Sequence, residues 1–524
     1  MSIKFGTGGI RGIMGEKPGE LNERTIITAT LGLGNYINRE KHGERSIVIA
    51  YDSRNNSYEF ALKTALTICT LGIKVYLFPS LRSTPELSFA VRKLKCDAGV
   101  MITASHNPKE YNGYKVYWND GGQLVEPQVS GVIEEINKIK NIENFKLMTE
   151  DESLEKGLLN ILNGKLDDLY IETLKKESLN EDINKEFKII YSPLHGAGGR
   201  PVKRILDEIG YRNVYFVSEQ TEPDGEFPTC AYANPEDENV FKLACKLGDE
   251  KEATLCMCTD PDADRVAMMV KDKEDWIYLN GNQTGILLMD YILKYSKKLV
   301  DPAVVSTIVT TPMLEKIAKN YNTKVFRTLT GFKYIGEKIR EFEEGRYKNN
   351  FVFGMEESIG YLKGTYVRDK DGILGVMLIA EMLAFYDDKN ISILEVLKKM
   401  YDQYGWYSEI THHVKKEGET GKKEIKKIMN HFRENDLEKL LDRKVIKKID
   451  YKLQSELDLP KSNVIKYILE DETNITIRPS GTEPKIKYYI YTKGEDKNEA
   501  DRKLEESLIK LNSYVDGIIR RDQC

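Results

Sequence analysis

Three aspartates spaced two residues apart could form a site for a hard metal ion. They are Asp260, Asp262 and Asp264 in the segment LCMCTDPDADRVAMMV, where apolar runs lead in and out. Pro261 disfavours a helix here, and in an extended chain residues two apart point to the same side. Three adjacent carboxylates repel one another unless a cation lies among them, and oxygen ligands suit Mg²⁺. A solvated acidic turn is the alternative interpretation, because aspartate is common in turns.

A second candidate is Ser105, which stands beside His106 in the segment MITASHNPKEYNGYK. The segment lacks the glycines of a hydrolase nucleophile elbow. Adjacent side chains of an extended segment diverge, so the sequence predicts that His106 is poorly placed to deprotonate Ser105 directly. A metal-assisted phosphoryl acceptor fits better, since a serine phosphate carries roughly −1.5 to −2 charge and needs cations and donors, which Arg11 or Lys115 could supply. A plain helix-capping turn is the alternative.

A third candidate is the segment RPSGTEPK, which follows the strand-like NITI. The planar fork of Arg478 and the charge of Lys485 suit a phosphate dianion. Hydroxyls and main-chain donors between them, from Ser480, Gly481 and Thr482, suit it as well. A plain surface turn is the alternative. The chain contains no Walker A pattern and no dinucleotide fingerprint, which disfavours nucleotide-driven chemistry.

A fourth candidate is the segment GMEESIG, which follows the apolar FVF. Glu356 and Ser358 are two residues apart and could both bind sugar hydroxyls. The glycines on either side suit close approach by a ligand. Paired glutamates are also typical of a solvated loop, so the pattern alone leaves both interpretations open.

The elements that must position these loops follow a repeated layout. Segments beginning at Ser46, Phe187 and Pro302 each contain a β-branched apolar run, a polar turn, a stretch of helical periodicity and a second apolar run. This is the layout of a parallel βαβ unit, and three copies predict three similar mixed α/β domains, with one large doubly wound sheet as the alternative. Segments near the end in which apolar and polar residues alternate, as they do in strands, predict a C-terminal α+β domain. We expect the domains at 1–185 with the serine loop, 186–300 with the aspartate loop, 301–410 with the glutamate loop and 411–524 with the arginine loop.

The composition is that of an ordinary globular protein. The chain has 524 residues, 40% of them hydrophobic and 31% charged, and a formal net charge of −5. So small a charge disfavours nucleic acid or an anionic membrane as the main partner. The most apolar stretch, Gly372 to Tyr386, is too short to span a bilayer and is predicted to be a buried helix. Seven irregularly spaced cysteines and a first segment unlike a secretory signal predict free thiols and a cytoplasmic location.

The four loops together resemble the motifs of the α-D-phosphohexomutase family, which includes phosphoglucomutases and phosphomannomutases. TASHNP, DPDADR, EESIG and RPSGTEP occur in the family's order, and the resemblance runs from FGTGGIRG to RPSGTEPK. NGYKVYW, EPDGEFP and TLTGFK are similar to the branch that contains bacterial phosphoglucomutases and phosphopentose mutases. The resemblance implies three similar α/β domains and a C-terminal α+β domain around a central active-site cleft. One departure is that Pro261 and Ala263 stand where many relatives have glycines.

The resemblance also implies residue roles around the reacting phosphate. Ser105 would be the phosphoserine that gives and receives the phosphoryl group. Its phosphate and the three aspartates would bind Mg²⁺. Nearby active-site groups would be Arg11, His106, Lys115 and Arg265. Lys370 occupies the place where glucose-specific relatives carry a lysine proposed as general base, but the residues leave that role open between Lys370, Lys115 and His106.

For the rest of the substrate, the resemblance implies two further groups of residues. Glu356, Ser358, Thr330 and Gly331 would read the sugar. Arg478, Ser480, Gly481, Thr482 and Lys485 would hold the phosphate that does not react. The implied reaction interconverts glucose 1-phosphate and glucose 6-phosphate through glucose 1,6-bisphosphate. Mannose or pentose phosphates, a magnesium-dependent sugar phosphatase and a non-catalytic sugar-phosphate sensor remain alternatives, and the sequence makes no prediction of oligomeric state.

Overall fold

The computed structural model describes residues 9–17, 19–416, 418–453, 458–480 and 485–520. The chain forms two compact units. The first runs through Thr307 and includes Tyr321–Phe326 and Gly331–Ser392, and the second contains Ile308–Asn320, Arg327–Thr330 and the chain from Ile393 onward. Within the described ranges no helix has the length and apolar character needed to cross a membrane. The cysteines in these ranges are free thiols, as predicted.

The first part of the chain forms a six-stranded sheet with helices. Its elements are β1 (Gly9–Ile13), α1 (Glu23–Glu40), β2 (Ser46–Tyr51), α2 (Ser57–Thr70), β3 (Lys74–Leu77), α3 (Thr84–Leu94), β4 (Ala98–Ile102), β5 (Tyr111–Trp118), α4 (Gln128–Lys138), α5 (Glu150–Glu155), β6 (Leu159–Ile161) and α6 (Lys165–Lys175). The strand order is β1-β5-β4-β2-β3-β6. β2 pairs in parallel with β3 and β4, while β5 runs antiparallel to β4 and β1. β2 and β4 are apolar and buried along almost their whole length, as central parallel strands are.

A five-stranded sheet follows. Its elements are β7 (Ile189–Ser192), α7 (Gly199–Glu208), β8 (Val214–Phe216), α8 (Ser218–Thr221), a 3₁₀ helix (Glu238–Phe241), α9 (Lys242–Lys251), β9 (Leu255–Thr259), β10 (Val266–Asp272) and β11 (Asp275–Leu279). The strand order is β11-β10-β9-β7-β8, and β7 is parallel to both β8 and β9. β10 turns back antiparallel to β9, so the aspartate segment is the connection between these two strands.

A four-stranded sheet comes next, in the order β13-β12-β14-β15. Its elements are α10 (Gly281–Tyr295), β12 (Pro302–Thr307), α11 (Met313–Asn320), β13 (Lys324–Thr328), α12 (Phe332–Glu343), β14 (Asn350–Glu356), β15 (Gly360–Lys363), α13 (Gly372–Asp387) and α14 (Ile393–Tyr404). The prediction of a buried helix from Gly372 is confirmed by α13. Its one acidic side chain before the last turn, Glu381, accepts hydrogen bonds from the main-chain N–H groups of Leu179 and Asn180.

The last sheet has six strands in the order β16-β21-β20-β19-β18-β17, with antiparallel neighbours throughout. Its elements are β16 (Trp406–Lys415), α15 (Gly418–Glu434), β17 (Lys439–Leu440), β18 (Arg443–Asp450), β19 (Ile465–Leu469), β20 (Asn474–Pro479), β21 (Lys485–Gly494) and α16 (Lys497–Arg520). Three mixed α/β sheets and a C-terminal α+β part confirm the predicted fold class. The single doubly wound sheet is excluded, because the strands form separate sheets.

Residues 308–311 belong to the second unit because side chains of that unit bind their main chain. Four consecutive carbonyls accept hydrogen bonds there. The donors are Lys466 to Ile308, Tyr491 to Val309, and Arg327 to Thr310 and Thr311. Main-chain acceptors of this kind fix the path of a segment whatever its side chains are.

Each candidate loop begins where a strand ends. The serine loop follows β4, the aspartate loop follows β9, the glutamate loop follows β14 and the arginine loop follows β20. In open sheets that contain parallel strands, ligands bind outside the carboxyl ends of the strands. The fold therefore gives the serine, aspartate and glutamate loops positions suited to chemistry, while the arginine loop connects two antiparallel strands.

Candidate active site

Ser105 lies in a tight turn just beyond β4. Its backbone has φ of +52°, in the left-handed region that side chains rarely adopt, and its N–H donates to Oγ1 of Thr103 at 2.8 Å. Such a conformation costs about 1–2 kcal/mol, and strained residues of this kind recur at active sites. The buried hydroxyl of Ser105 donates to Oδ2 of Asp260 at 2.6 Å. The structure thus brings together the serine and aspartate loops, which the sequence placed in different domains.

His106 lies closer to the serine hydroxyl than predicted. Nδ1 of His106 is 3.1 Å from Oγ of Ser105. The prediction that these side chains diverge was wrong, because it assumed an extended chain and the left-handed turn at Ser105 directs both to the same side. Burial, with the charges of Arg265 and Arg11, lowers the pKa of His106 well below its ordinary value. The imidazole is therefore uncharged near neutral pH.

The three aspartates form a buried cluster. One carboxylate oxygen from each of Asp260, Asp262 and Asp264 lies within 4.8 Å of the others. The oxygens divide into two sets. Oδ2 of Asp262 accepts from Lys115, and Oδ2 of Asp264 accepts from Lys370, both at 2.7 Å. Oδ1 of Asp262 and Oδ1 of Asp264 are buried without a hydrogen-bond partner among the described residues.

These unpartnered oxygens fit a metal ion. A buried charged oxygen without a partner is costly, and a cation is the simplest partner for two of them side by side. Burial and the neighbouring carboxylates of Asp262 and Asp264 raise the pKa of Asp260 well above its ordinary value, a direction that a bound cation would oppose. The donors are all oxygens, which suits Mg²⁺ over softer metals. The residues therefore fit the predicted metal site.

Two lysines and an arginine surround the cluster. Nζ of Lys115 lies 3.6 Å from Asp264 in addition to its bond with Asp262. Burial lowers the pKa of Lys370, but the carboxylates of Asp264 and Asp369 more than offset it and raise that pKa above its ordinary value. In this arrangement Lys370 stays protonated, whereas a lysine that acts as a general base would need a lowered pKa. The main-chain N–H of Arg265 donates to Oδ1 of Asp260 at 3.0 Å.

Arg11 lies in β1 at the edge of the first sheet. Its side chain is exposed and donates to Oδ1 of Asn107, two residues after Ser105, at 2.9 Å. β1 pairs with β5, and this pairing places Lys115 and Arg11 on neighbouring strands. Both cations proposed from the sequence are thus attached to the strand pair beside the serine loop.

Glu356 and Gly331 meet in the first unit. Oε1 of Glu356, at the end of β14, accepts from the N–H of Gly331 at 3.0 Å. Gly331 has φ of +119°, which favours glycine, and it immediately precedes α12. Burial is the main cause that raises the pKa of Glu356 to about 7. Ser358 lies in the turn between β14 and β15 and is half-buried. Thr330 belongs to the second unit, and its buried Oγ1 has no hydrogen-bond partner among the residues that the structure describes.

The predicted phosphate loop lies in the second unit and is described in part. Arg478 is near the end of β20, and Lys485 begins β21. The N–H of Ser480 donates to the carbonyl of Lys485 at 2.8 Å, which closes the loop. Gly481 and Thr482, the other two predicted residues, lie outside the described residues.

A row of two cations and a histidine crosses the sheet beside this loop. Arg478 pairs in register with Lys487, and Lys487 pairs with His413 on the next strand. Burial, together with the ammonium groups of Lys487 and Lys485, lowers the pKa of His413 to about 4. Burial is the largest cause of this shift and the two ammonium groups add to it, and such a concentration of positive charge favours an anionic ligand.

Sequence reasoning missed Arg54, which binds the main chain of the serine loop. Its guanidinium donates to the carbonyls of Pro108 and Tyr111, each at 2.9 Å. It also donates to the carbonyls of Ser105 and Asn107. One sequence signal could have indicated Arg54. It lies in the segment YDSR, just after β2, and ligands bind at the carboxyl ends of central parallel strands.

Thr84 was missed as well. It is the first residue of α3, and its Oγ1 donates to Oδ2 of Asp262 at 2.8 Å. The pattern Ser83-x-x-Glu86 is the signature of a capping box and would have located this helix start. Nothing in the local pattern indicates that the start of α3 meets a loop 178 residues further along the chain.

The same order of domains is found in known proteins. Three domain families match the chain. They are phosphoglucomutase/phosphomannomutase alpha/beta/alpha domain I over residues 2–143, domain II over residues 168–273 and domain III over residues 280–404. Together the three matches cover more than half of the chain, which establishes the family.

Individual relatives agree. The chain is 36% identical over 521 residues to a phosphoglucomutase of Staphylococcus saprophyticus, and the alignment covers 97% of this chain and 93% of that protein. The crystal structure of parafusin, a phosphoglucomutase from Paramecium, in its open form has a TM-score of 0.75 at 19% identity, covering 99% of this chain and 95% of that chain. A phosphoglucomutase/phosphomannomutase family protein from Burkholderia thailandensis has a TM-score of 0.71 at 17% identity, with coverage of 98% and 97%. At these identities the two structures support the fold alone.

The family matches, the relative at 36% identity and the loops described above agree with one another. The chain therefore belongs to the phosphoglucomutase/phosphomannomutase family of α-D-phosphohexomutases, and it is an enzyme of the isomerase-type phosphotransferase class.

Proposed function

We propose that the enzyme interconverts glucose 1-phosphate and glucose 6-phosphate, with Ser105 as the phosphoryl carrier. The observation that carries the proposal is the contact between the hydroxyl of Ser105 and Asp260, inside a carboxylate cluster whose free oxygens suit a metal ion. The name of the relative at 36% identity supports glucose as the sugar.

In the proposed cycle, phosphoserine at Ser105 gives its phosphoryl group to the C6 hydroxyl of glucose 1-phosphate. The P–O bond to Ser105 breaks as the new P–O bond to the sugar forms, and glucose 1,6-bisphosphate results. The bisphosphate reorients and returns its C1 phosphoryl group to Ser105, which releases glucose 6-phosphate. Catalysis of this kind depends on positioning and on stabilising charge.

The chain's own residues would manage charge and protons at Ser105. Magnesium, when held by the three aspartates, would neutralise negative charge on the transferred group. Between phosphoryl transfers, Lys115 and Lys370 would balance the negative charge of the aspartate carboxylates. His106 is uncharged and its Nδ1 lies 3.1 Å from the hydroxyl. It would hold the proton at Oγ both when the phosphoryl group leaves Ser105 and when it returns.

The remaining groups would bind the rest of the sugar phosphate. Glu356, held by the N–H of Gly331, would accept or donate to sugar hydroxyls, and its pKa of about 7 gives it either capacity near neutral pH. We assign the cation row beside Arg478 to the phosphate that is not transferred. Charge and main-chain donors suit that role, because the same site must accept a phosphate attached to either end of the sugar.

The test combines a product assay with detection of the carrier. Glucose, mannose, ribose and N-acetylglucosamine 1-phosphates are each supplied with Mg²⁺ and trace glucose 1,6-bisphosphate, and the 6-phosphate or 5-phosphate is measured. Mass spectrometry of the Ser105 peptide should show a phosphate that substrate removes and restores. A phosphatase would release inorganic phosphate instead, and preference for another sugar would replace the glucose assignment.

The variant Ser105→Ala should lower kcat by roughly 10³-fold or more, because the acceptor oxygen is lost. A matched control is Ser153→Ala in α5, which removes another buried hydroxyl, one that donates to the carbonyl of Thr149 just before that helix. Full mutase activity in Ser105→Ala would end the covalent mechanism.

A further inference from the structure

One oxygen of Asp262 is held from two sides. Oδ2 accepts from Oγ1 of Thr84 at 2.8 Å and from Nζ of Lys115 at 2.7 Å. The other oxygen, Oδ1, is buried and finds no hydrogen-bond partner in the described part of the chain. The two donors therefore decide which oxygen of this carboxylate remains available.

Thr84 contacts the same aspartate a second time through its main chain. Its N–H donates to the carbonyl of Asp262 at 2.9 Å. One residue thus fixes both the backbone of Asp262 and the rotation of its carboxylate. Two bonds from one rigid donor leave the side chain little freedom to turn.

The start of α3 is itself held firmly. Ser83 and Glu86 form a capping box, in which each side chain bonds to the main-chain N–H of the other. Arg82 forms two hydrogen bonds to the carboxylate of Asp167, at 3.1 and 2.8 Å. Caps and bidentate ion pairs of this kind restrict movement of a helix end. Thr84 is therefore presented to Asp262 from a fixed position.

We infer that Thr84 is a positioning residue for the metal site: it holds Oδ2 of Asp262 so that Oδ1 faces the ion. The inference rests on the proposed use of this cluster as a metal site. Thr84 and Lys115 contribute differently to the site. Lys115 adds positive charge, whereas Thr84 only orients the carboxylate of Asp262. Groups that orient a metal ligand in this way usually change metal affinity by 10–100-fold when they are removed.

The test is a direct measurement of metal binding to the full-length enzyme. Mn²⁺ is titrated into chelator-treated protein and followed by electron paramagnetic resonance, with Mg²⁺ as competitor. Thr84→Val keeps the shape and removes the hydroxyl, and its Kd for Mn²⁺ should rise by about tenfold or more. Thr84→Ser keeps the hydroxyl and should bind Mn²⁺ within about threefold of the wild type. The activity of Thr84→Val should recover as Mg²⁺ is raised, which a misfolded site would not show.

Thr30→Val is the matched control, because Thr30 is a buried threonine of α1 whose hydroxyl donates to Tyr114. It should bind Mn²⁺ like the wild type. Thr84→Ala serves as a second variant without the hydroxyl if the valine substitution prevents folding. Wild-type affinity in both variants that lack the hydroxyl, or an equal loss in Thr84→Ser, would overturn the inference.

Failure of the proposed function gives a different result. If the wild type binds Mn²⁺ and Thr84→Val binds it weakly, but no sugar phosphate is converted, the positioning role stands and the mutase assignment fails. If conversion is normal and Thr84→Val binds Mn²⁺ as the wild type does, the mutase assignment stands and the positioning role fails. A wild type that binds no Mn²⁺ or Mg²⁺ would overturn the positioning role directly.

Discussion

The hydroxyl of Ser105 lies 2.6 Å from Oδ2 of Asp260, although 155 residues of chain separate them. The contact joins the loop after β4 of the first sheet to the loop after β9 of the second. It places the Ser105 hydroxyl at the edge of a cluster of three buried carboxylates, to which Lys115 and Lys370 donate hydrogen bonds. Four predictions follow from this arrangement and from the residues around it.

Asp260→Asn should separate the metal's contribution to stability from that of the fold. Burial and adjacent carboxylates disfavour the charged form of Asp260, so the neutral isostere should be at least as stable as the wild type when chelator is present. Magnesium at about 100 times its Kd should stabilise the wild type by about 2.7 kcal/mol and the variant by far less. Thermal unfolding with chelator and with Mg²⁺ measures both effects. Equal stabilisation of the two proteins by Mg²⁺ would contradict the assignment of Asp260 as a ligand.

Ala263→Gly should leave stability nearly unchanged. Ala263 has φ of +50°, where a side chain costs about 1–2 kcal/mol, and glycine removes that cost. The buried methyl group that is lost is worth about 0.8 kcal/mol, so the two effects nearly cancel. Ala244→Gly, inside α9, is the control. It should destabilise the protein by about 1 kcal/mol or more, because the substitution relieves no strain in a helix. Urea unfolding of both variants measures the difference, and an equal loss in both would refute the argument from φ.

Glu356→Gln should remove one part of the pH dependence of stability. The folded pKa of Glu356 is about 7 and its ordinary value is 4.5. Between these values the folded state binds more protons than the unfolded state, so the free energy of unfolding falls as pH rises through this window. The contribution is up to about 3 kcal/mol. Chemical unfolding at pH 5 and pH 7.5 should show a smaller difference for the variant than for the wild type. An unchanged difference would mean that the carboxyl of Glu356 is not neutral in the folded protein at low pH.

Arg54→Lys should impair catalysis without removing the metal site. A lysine has no planar fork and cannot serve the four carbonyls that Arg54 holds, and each buried carbonyl left unpaired costs about 1–3 kcal/mol. We expect kcat to fall by roughly 10–100-fold, because a misplacement of about 1 Å at the reacting group has effects of that size. Hydrogen exchange of the loop at residues 105–111 should become faster, while Mn²⁺ affinity should stay near that of the wild type. Arg204→Lys, which alters a surface ion pair in α7, is the control.

Much of the fold was predictable because it rests on local patterns. The segments that begin at Ser46, Phe187 and Pro302 alternate between buried apolar runs and helical periodicity, and they form the expected strand–helix–strand units. The meeting of Ser105 with the three aspartates was expected from the resemblance to a known family, because the phosphate on Ser105 would share a metal ion with them. The structure brings the two loops together.

What could not be predicted depends on backbone angles and on distant partners. The left-handed turn at Ser105 is not encoded by a glycine, and without it the position of His106 is misjudged. The raised pKa of Lys370 depends on Asp264, which is 106 residues away. The hydrogen bonds of Thr84 and Arg54 are made to residues that only the folded chain brings near. The assignment of residues 308–311 to the second unit likewise depends on donors more than a hundred residues further along the chain, Lys466 and Tyr491.

Arg54 binds the loop at residues 105–111 through four of its main-chain oxygens, so the path of that loop is specified independently of the side chains it displays. We therefore expect exposed side chains of the loop, such as Lys109 and Glu110, to tolerate substitution while the backbone geometry at Ser105 is kept. This separation of shape from surface is what a scaffold needs if one chemical step is to be adapted to different sugars.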